Sequence, residues 1–83
     1  MSNSCFVGNI PWRCSEQDLG DMFAQHAEVR SVKIIQDRET GRSKGFGFVE
    51  LANVDDVEMV IGKMDGYDIQ GRQLRVNRAN QRN

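Results

Sequence analysis

Residues 44–51 read Lys44-Gly45-Phe46-Gly47-Phe48-Val49-Glu50-Leu51. In an extended strand successive side chains alternate between faces. Lys44, Phe46, Phe48 and Glu50 therefore share one side, and Gly45, Gly47, Val49 and Leu51 the other. If the phenylalanines faced the core, Lys44 and Glu50 would be buried beside them at a large desolvation cost. The phenylalanine face is therefore read as the wet one. Exposed rings next to a lysine suit the stacking of unpaired bases and the holding of a phosphate. Two glycines weaken so short a strand, and a local rule broken in this way points to function. Their missing side chains are expected to let helices press close from the opposite side.

The rest of the chain supplies a partner layer for that strand. Ser4 to Ile10 reads as a first strand, with Cys5 and Val7 on one side and Phe6 on the other; alone, this alternation leaves open which side is buried. Ile10-Pro11-Trp12-Arg13-Cys14 is a loop, because proline lacks a strand donor. Trp12 has two readings there, stacking on RNA or capping the edge of the core. Ser15 with Asp18 three residues on forms a capping box, and Leu19, Met22 and Phe23 follow as a buried helical stripe. Glu16, Asp18 and Asp21 lie where the helix dipole favours acids. His26 has no nucleophile or ligand set nearby and is read as a packing residue. Val29 to Gln36 is a second strand with Val32 and Ile34 inward and Lys33 and Ile35 outward. Asp37 to Ser43 is a polar turn whose Arg38 and Arg42 either approach a phosphate backbone or remain solvated. Asn53 begins a second helix with Val57, Val60, Ile61 and Met64 as its stripe, and Gly66 stops it. Tyr67 to Gly71 is turn-rich, compatible with a short hairpin. A last strand is expected from Gln73 to Asn77, burying Leu74 and Val76.

The chain of 83 residues has a net charge of −1, unlike an indiscriminate nucleic-acid binder. The charge is segregated, however. Stretches 30–44 and 72–82 carry nine cations against Asp37 and Glu39, a balance of +7, while the remainder sums to −8. Basic strands and acidic helices are implied. Cys5 and Cys14 lack metal-ligand spacing and are read as a buried thiol and a loop thiol, so no metal or cofactor is expected. No apolar run is long enough for a membrane span and no signal-peptide pattern is present, from which a cytoplasmic or nuclear location is expected. There are no paired carboxylates and no nucleophile with a base, so an enzyme is not expected.

At this point the octapeptide has a recognisable counterpart. It resembles the longer RNP motif of the RNA recognition motif (RRM) family, matching seven of eight positions of K/R-G-F/Y-G/A-F-V-x-F/Y. Leu51 is the departure, on the core side. Residues 4–10 resemble the shorter RNP motif, with Phe6 at its base-stacking position. His26 and Ala27 stand where the family often has an aromatic and a glycine, so the end of the first helix is expected to be built differently. The resemblance covers essentially the whole chain and is closest to compact single-RRM proteins of the bacterial, organellar or glycine-rich plant type. It implies an α+β, ferredoxin-like βαββαβ sandwich, with a four-stranded antiparallel sheet and two helices on one face. A single domain over 1–83 is expected, with an ordered core at about 4–79 and a polar tail at 80–83. The implied function is single-stranded RNA binding. Phe6 and Phe48 would stack bases, Phe46 would touch a sugar or neighbouring base, and Lys44 a phosphate. Lys33, Arg75 and Arg42 would surround them, and Asn77, Arg78 and Asn9 complete the expected set. The alternatives are single-stranded DNA on the same face, or a protein partner through the helical face.

Overall fold

The computed structural model describes residues 3–36, 39–40 and 43–79, except for the side chains of Gln36, Ser43 and Lys44. The expectations placed on Arg38 and Arg42, on the Lys44 side chain and on the tail from 80 to 83 lie outside the described residues.

Local signals start each element. Strand β1 (Ser4–Gly8) leads through the proline loop to helix α1 (Glu16–Ala24). The Ser15 hydroxyl accepts from the Asp18 amide at 3.0 Å, and the Asp18 carboxylate accepts from the Ser15 amide at 3.3 Å, which satisfies two amides the first turn would otherwise leave unpaired. Leu19 and Phe23 are buried and Met22 packs beside them. With alanine at position 27 no left-handed cap forms. Instead the amides of His26 and Ala27 both donate to the Phe23 carbonyl, at 3.0 and 3.2 Å.

Strands β2 (Val29–Gln36) and β3 (Ser43–Leu51) follow, then a 3-10 turn (Val54–Asp56) and helix α2 (Val57–Met64). Asn53 caps the 3-10 turn, accepting from the Asp55 amide at 3.0 Å, so α2 proper begins four residues later than the cap. Two-residue strands β4 (Asp68–Ile69) and β5 (Arg72–Gln73) form a small hairpin around Gln70 and Gly71, whose φ values of 52° and 84° suit a type I′ turn. The final strand, β6, is Arg75–Arg78. The expected start at Gln73 is thereby corrected: Gln73 pairs with Asp68 in the hairpin, and the sheet strand begins after Leu74.

The four long strands form an antiparallel sheet in the order β2-β3-β1-β6, with both helices on one face, the ferredoxin-like arrangement. Register defines the inner rows. Val32, Val49 and Cys5 lie side by side, as do Ile34, Gly47, Val7 and Val76. These rows meet Leu19, Phe23, Val57, Val60 and Met64 in one core. Leu51 is fully buried in it, which explains why an aliphatic residue suits that position.

The second row explains one glycine. A Cβ on Gly47 would lie 2.2 Å from the Lys33 carbonyl oxygen and 2.9 Å from the Ile34 Cα. It is therefore the backbone of the neighbouring strand β2 that crowds Gly47, and the expected approach of a helix is corrected. Gly45 serves the opposite end of the motif. Its φ of +87° accompanies a slip in the pairing, Gln36 facing Ser43 while Ile34 faces Gly47. Strict alternation therefore stops at this bulge.

One amide on each edge strand is taken up by an acid from the helical layer. Glu16 accepts from the Ile34 amide on edge strand β2 at 2.9 Å, and Asp65 accepts from the Val76 amide on edge strand β6 at 2.9 Å. Edge amides left open would template pairing with other chains. The thiols of Cys5 and Cys14 are buried and unbridged. Desolvation pushes both above the ordinary thiol range, with nearby Arg78 partly opposing this at Cys5 and Asp18 adding to it at Cys14.

Two outcomes follow from this packing. Gly47→Ala should lower unfolding stability by about 1–3 kcal/mol, because its clash is with backbone and not with a mobile side chain; thermal unfolding reads this as a fall of several degrees. Raised thiol pKa values mean that the reactive thiolate is scarce in the folded state until the pH rises well into the alkaline range. Alkylation at pH 8 should accordingly be much slower in buffer than in denaturant, as mass spectrometry over time would record.

Candidate nucleic-acid interface

The face opposite the helices is organised by the same register. Lys33 lies across from Phe48, Phe48 from Phe6, and Phe6 from Asn77, so one row crosses all four strands. The next row places Phe46, Gly8 and Arg75 side by side. Residues directly opposite on neighbouring strands have Cβ atoms about 4.5–5.5 Å apart, close enough to act as one surface.

The three rings form a cluster rather than separate platforms. The Phe6 centroid lies 6.0 Å from that of Phe46, with the ring planes tilted by 31°, and 5.9 Å from that of Phe48, edge to face at 67°. Phe6 and Phe46 are half-buried by this contact, and Phe48 is 38% exposed. Gly8 makes room for the cluster, since a Cβ there would come within 3.1 Å of the Phe6 ring edge. The rings thus hold one another in place while their outer surfaces stay accessible to water. That arrangement can accept flat, unpaired bases at little reorganisation cost.

Polar residues grade the face along the strands. Lys33, Asn77 and Arg75 are exposed around the rings, as expected. Beyond Phe48, towards the start of β1, the next row is Ser31, Glu50 and Ser4, where the Ser31 hydroxyl donates to Glu50 at 3.0 Å. That end carries the Glu50 carboxylate, with Arg30 exposed at the bulge in β2 beside it. The opposite end, past Gly8, is cationic.

Two of the expected residues sit elsewhere. Arg78 pairs with Cys5 in the β1–β6 register, which puts it on the helical side, and its guanidinium donates to Glu58 of α2 at 3.0 Å. The sequence places it next to Asn77, but adjacent strand residues face opposite ways. Arg78 is accordingly removed from the ring face. Asn9 has a left-handed backbone, φ 58°, a conformation asparagine tolerates better than most residues. Its side-chain Nδ2 donates to the Gln73 carbonyl at 2.8 Å, and its Oδ1 accepts from Arg72 at 3.5 Å. It therefore ties the end of β1 to the hairpin. Arg72 and Arg13 escaped the sequence reading as site residues, because Arg13 lies in a loop and Arg72 in a two-residue strand too short to show alternation. Trp12 is 57% exposed, and the Arg13 guanidinium lies 5.2 Å from its ring centroid. The reading of Trp12 as a cap on the core edge is therefore not supported.

Comparison with known proteins agrees with this geometry. Residues 5–75 match the family model described as the RNA recognition motif. Among curated relatives, a 31 kDa chloroplastic ribonucleoprotein of Nicotiana sylvestris is 44% identical over 82 residues, covering 99% of this chain and 26% of its own length. Mitochondrial glycine-rich RNA-binding protein 4 of Arabidopsis thaliana is also 44% identical over 82 residues, covering 99% of this chain and 60% of its own. The chain thus spans between a quarter and three-fifths of the length of these relatives. Among solved structures, that of RNA binding protein PG1 superposes with a TM-score of 0.89 at 41% identity, covering 99% of both chains. The Rna15 RRM with bound RNA (GU) superposes with a TM-score of 0.86 at 26% identity, covering 98% of this chain and 86% of its own.

These relatives correct one expectation. Proteins named chloroplastic or mitochondrial recur among them, which points to an organellar setting and overturns the cytoplasmic or nuclear one. The lack of a signal-peptide pattern in residues 1–83 does not separate the cytoplasm from an organelle. With both RNP motifs in register on adjacent central strands, and with the family match running from Cys5 to Arg75, this chain belongs to the RNA recognition motif family.

Proposed function

We propose that this chain is a binding module, not a catalyst, that holds a few nucleotides of single-stranded RNA on the open face of its sheet. The observation that carries this reading is the three-ring cluster of Phe6, Phe46 and Phe48, left uncovered by the helices and bordered by Lys33, Arg75 and Asn77. Leaving such rings open to water gains nothing for folding, whereas base stacking uses them directly. Phe48 and Phe6 stack bases, and Phe46 contacts a sugar or the next base. Lys33 and Arg75 hold phosphates, joined by Lys44 and Arg42 from the motif and the loop before it. Asn77, whose amide both donates and accepts, reads a base edge beside Phe6. RNA-binding relatives and an RNA-bound structural neighbour support the reading.

Arg78 is left out of this set, and the omission sharpens the test. Phosphate contacts to single strands contribute a salt slope of about 0.7 per charge neutralised. Arg75→Gln should flatten the logarithmic salt dependence of RNA binding by about that amount, while Arg78→Gln leaves it unchanged; equal effects from the two would move the phosphate path off the ring face. Phe48→Ala should weaken binding by about 1–3 kcal/mol, roughly tenfold or more, with an unfolding midpoint close to wild type. Unaltered affinity in a fluorescence-anisotropy titration would remove Phe48 from the site.

A further inference from the structure

Beyond the row of Phe46, Gly8 and Arg75, the end of β1 opens onto a groove that the ring face does not include. Pro11, Trp12 and Arg13 from the β1–α1 loop form one wall, and Gln70 and Arg72 from the β4–β5 hairpin the other, around a volume of about 490 Å³. Its chemistry differs from that of an apolar protein-docking groove. The largest ring is Trp12, 57% exposed, with the Arg13 guanidinium 5.2 Å from its centroid. Arg72 supplies a second cation across the gap. An aromatic surface with two guanidiniums, and no carboxylate among the described lining residues, matches a base on a phosphodiester backbone.

The groove is also held in fixed relation to the ring face. The Ile10 amide donates to the Gly45 carbonyl at 2.9 Å, which fastens the start of the loop to β3. Asn9 bonds the Gln73 carbonyl at 2.8 Å and meets Arg72 at 3.5 Å, which fastens the hairpin to the end of β1. Along the strand direction, a nucleic-acid chain leaving the rings can run towards either end of β1. Towards Ser4 it meets Glu50, whose charge repels phosphate. Towards Gly8 it meets Arg75 and then this groove.

We propose that the Trp12–Arg13–Arg72 groove is a second stacking subsite, taking a nucleotide of the same single-stranded RNA beyond those on the rings. Its base stacks on Trp12, and its phosphate lies between Arg13 and Arg72. The inference rests on the ring-face reading above and extends the binding path in one direction only. It makes affinity depend on RNA length: a short strand fills the rings, and a longer one gains the groove.

The tryptophan is the sole one in the chain, so its fluorescence reports on the groove and not on the rings. Random-sequence single-stranded RNA pools of four and of eight nucleotides would be titrated against the full chain, following tryptophan emission and, separately, anisotropy of end-labelled RNA. The eight-nucleotide pool is expected to bind more tightly and to quench the emission, and the four-nucleotide pool to bind without quenching. Trp12→Ala should cost the longer pool about tenfold in affinity and the shorter pool nothing; Trp12→Phe should recover most of the loss, and both variants should melt near wild type. If the longer pool binds in a manner sensitive to Phe48→Ala, yet neither quenches Trp12 nor responds to Trp12→Ala, the groove is overturned and the ring face stands. Failure of both pools to bind would overturn the two together.

Discussion

The pairing of β1 with β3 is the constraint from which the remaining structure follows. Setting Phe6 directly opposite Phe48 fixes every other row, because a slip of one residue would exchange the faces of all side chains on a strand. In the observed register, Cys5, Val7 and Val49 reach the helices, and the phenylalanines reach water. The helices then need only cover one side. Leu19, Phe23, Val57, Val60 and Met64 do so, and a second layer is not required.

The central strands are served by their flanks in ways that concern backbone more than side chains. Strand β2 approaches β3 so closely at Lys33 and Ile34 that only glycine fits at position 47. Gly45 lets β3 bulge at the start of the motif and offers its carbonyl to Ile10. At the outer edges, Glu16 and Asp65 each reach from the helical layer to an unpaired strand amide. A bond from a charged acceptor to such an amide is worth about 1.5–3 kcal/mol, more than the exposed Arg78–Glu58 pair contributes, which is of the order of 0–1 kcal/mol. Acids that look like ordinary helix-surface charge in the sequence therefore each satisfy an amide at a sheet edge.

Electrostatic asymmetry gives the ring face a direction. Helical acids keep the far side of the molecule anionic, and Glu50 with Ser31 marks one end of the open face. Lys33, Arg75, Arg72 and Arg13 lie at the middle and the other end. A polyanion meets attraction over only part of a molecule whose net charge is −1, so a nearly neutral composition conceals a polarised surface.

The sequence by itself determined what depends on neighbours a few residues away. Alternation in 44–51 identified the wet rings, Ser15 with Asp18 announced the start of α1, and helical spacing picked out both buried stripes. Alanine at 27 foretold a helix end without a left-handed residue. Tertiary structure alone decided what depends on contacts between distant segments. Alternation from Leu74 and Val76 puts Arg78 on the helical side once the strand is carried past Asn77, but its pairing with Glu58, and the backbone of β2 against Gly47, are set by packing between distant segments. The hairpin that takes Gln73 from the last strand, and the gap it leaves beside Trp12, arise where residues 9–13 meet residues 70–73. Periodicity reports the direction of a side chain relative to its own strand, but the identity of what faces it is set by register and packing, which no local pattern encodes.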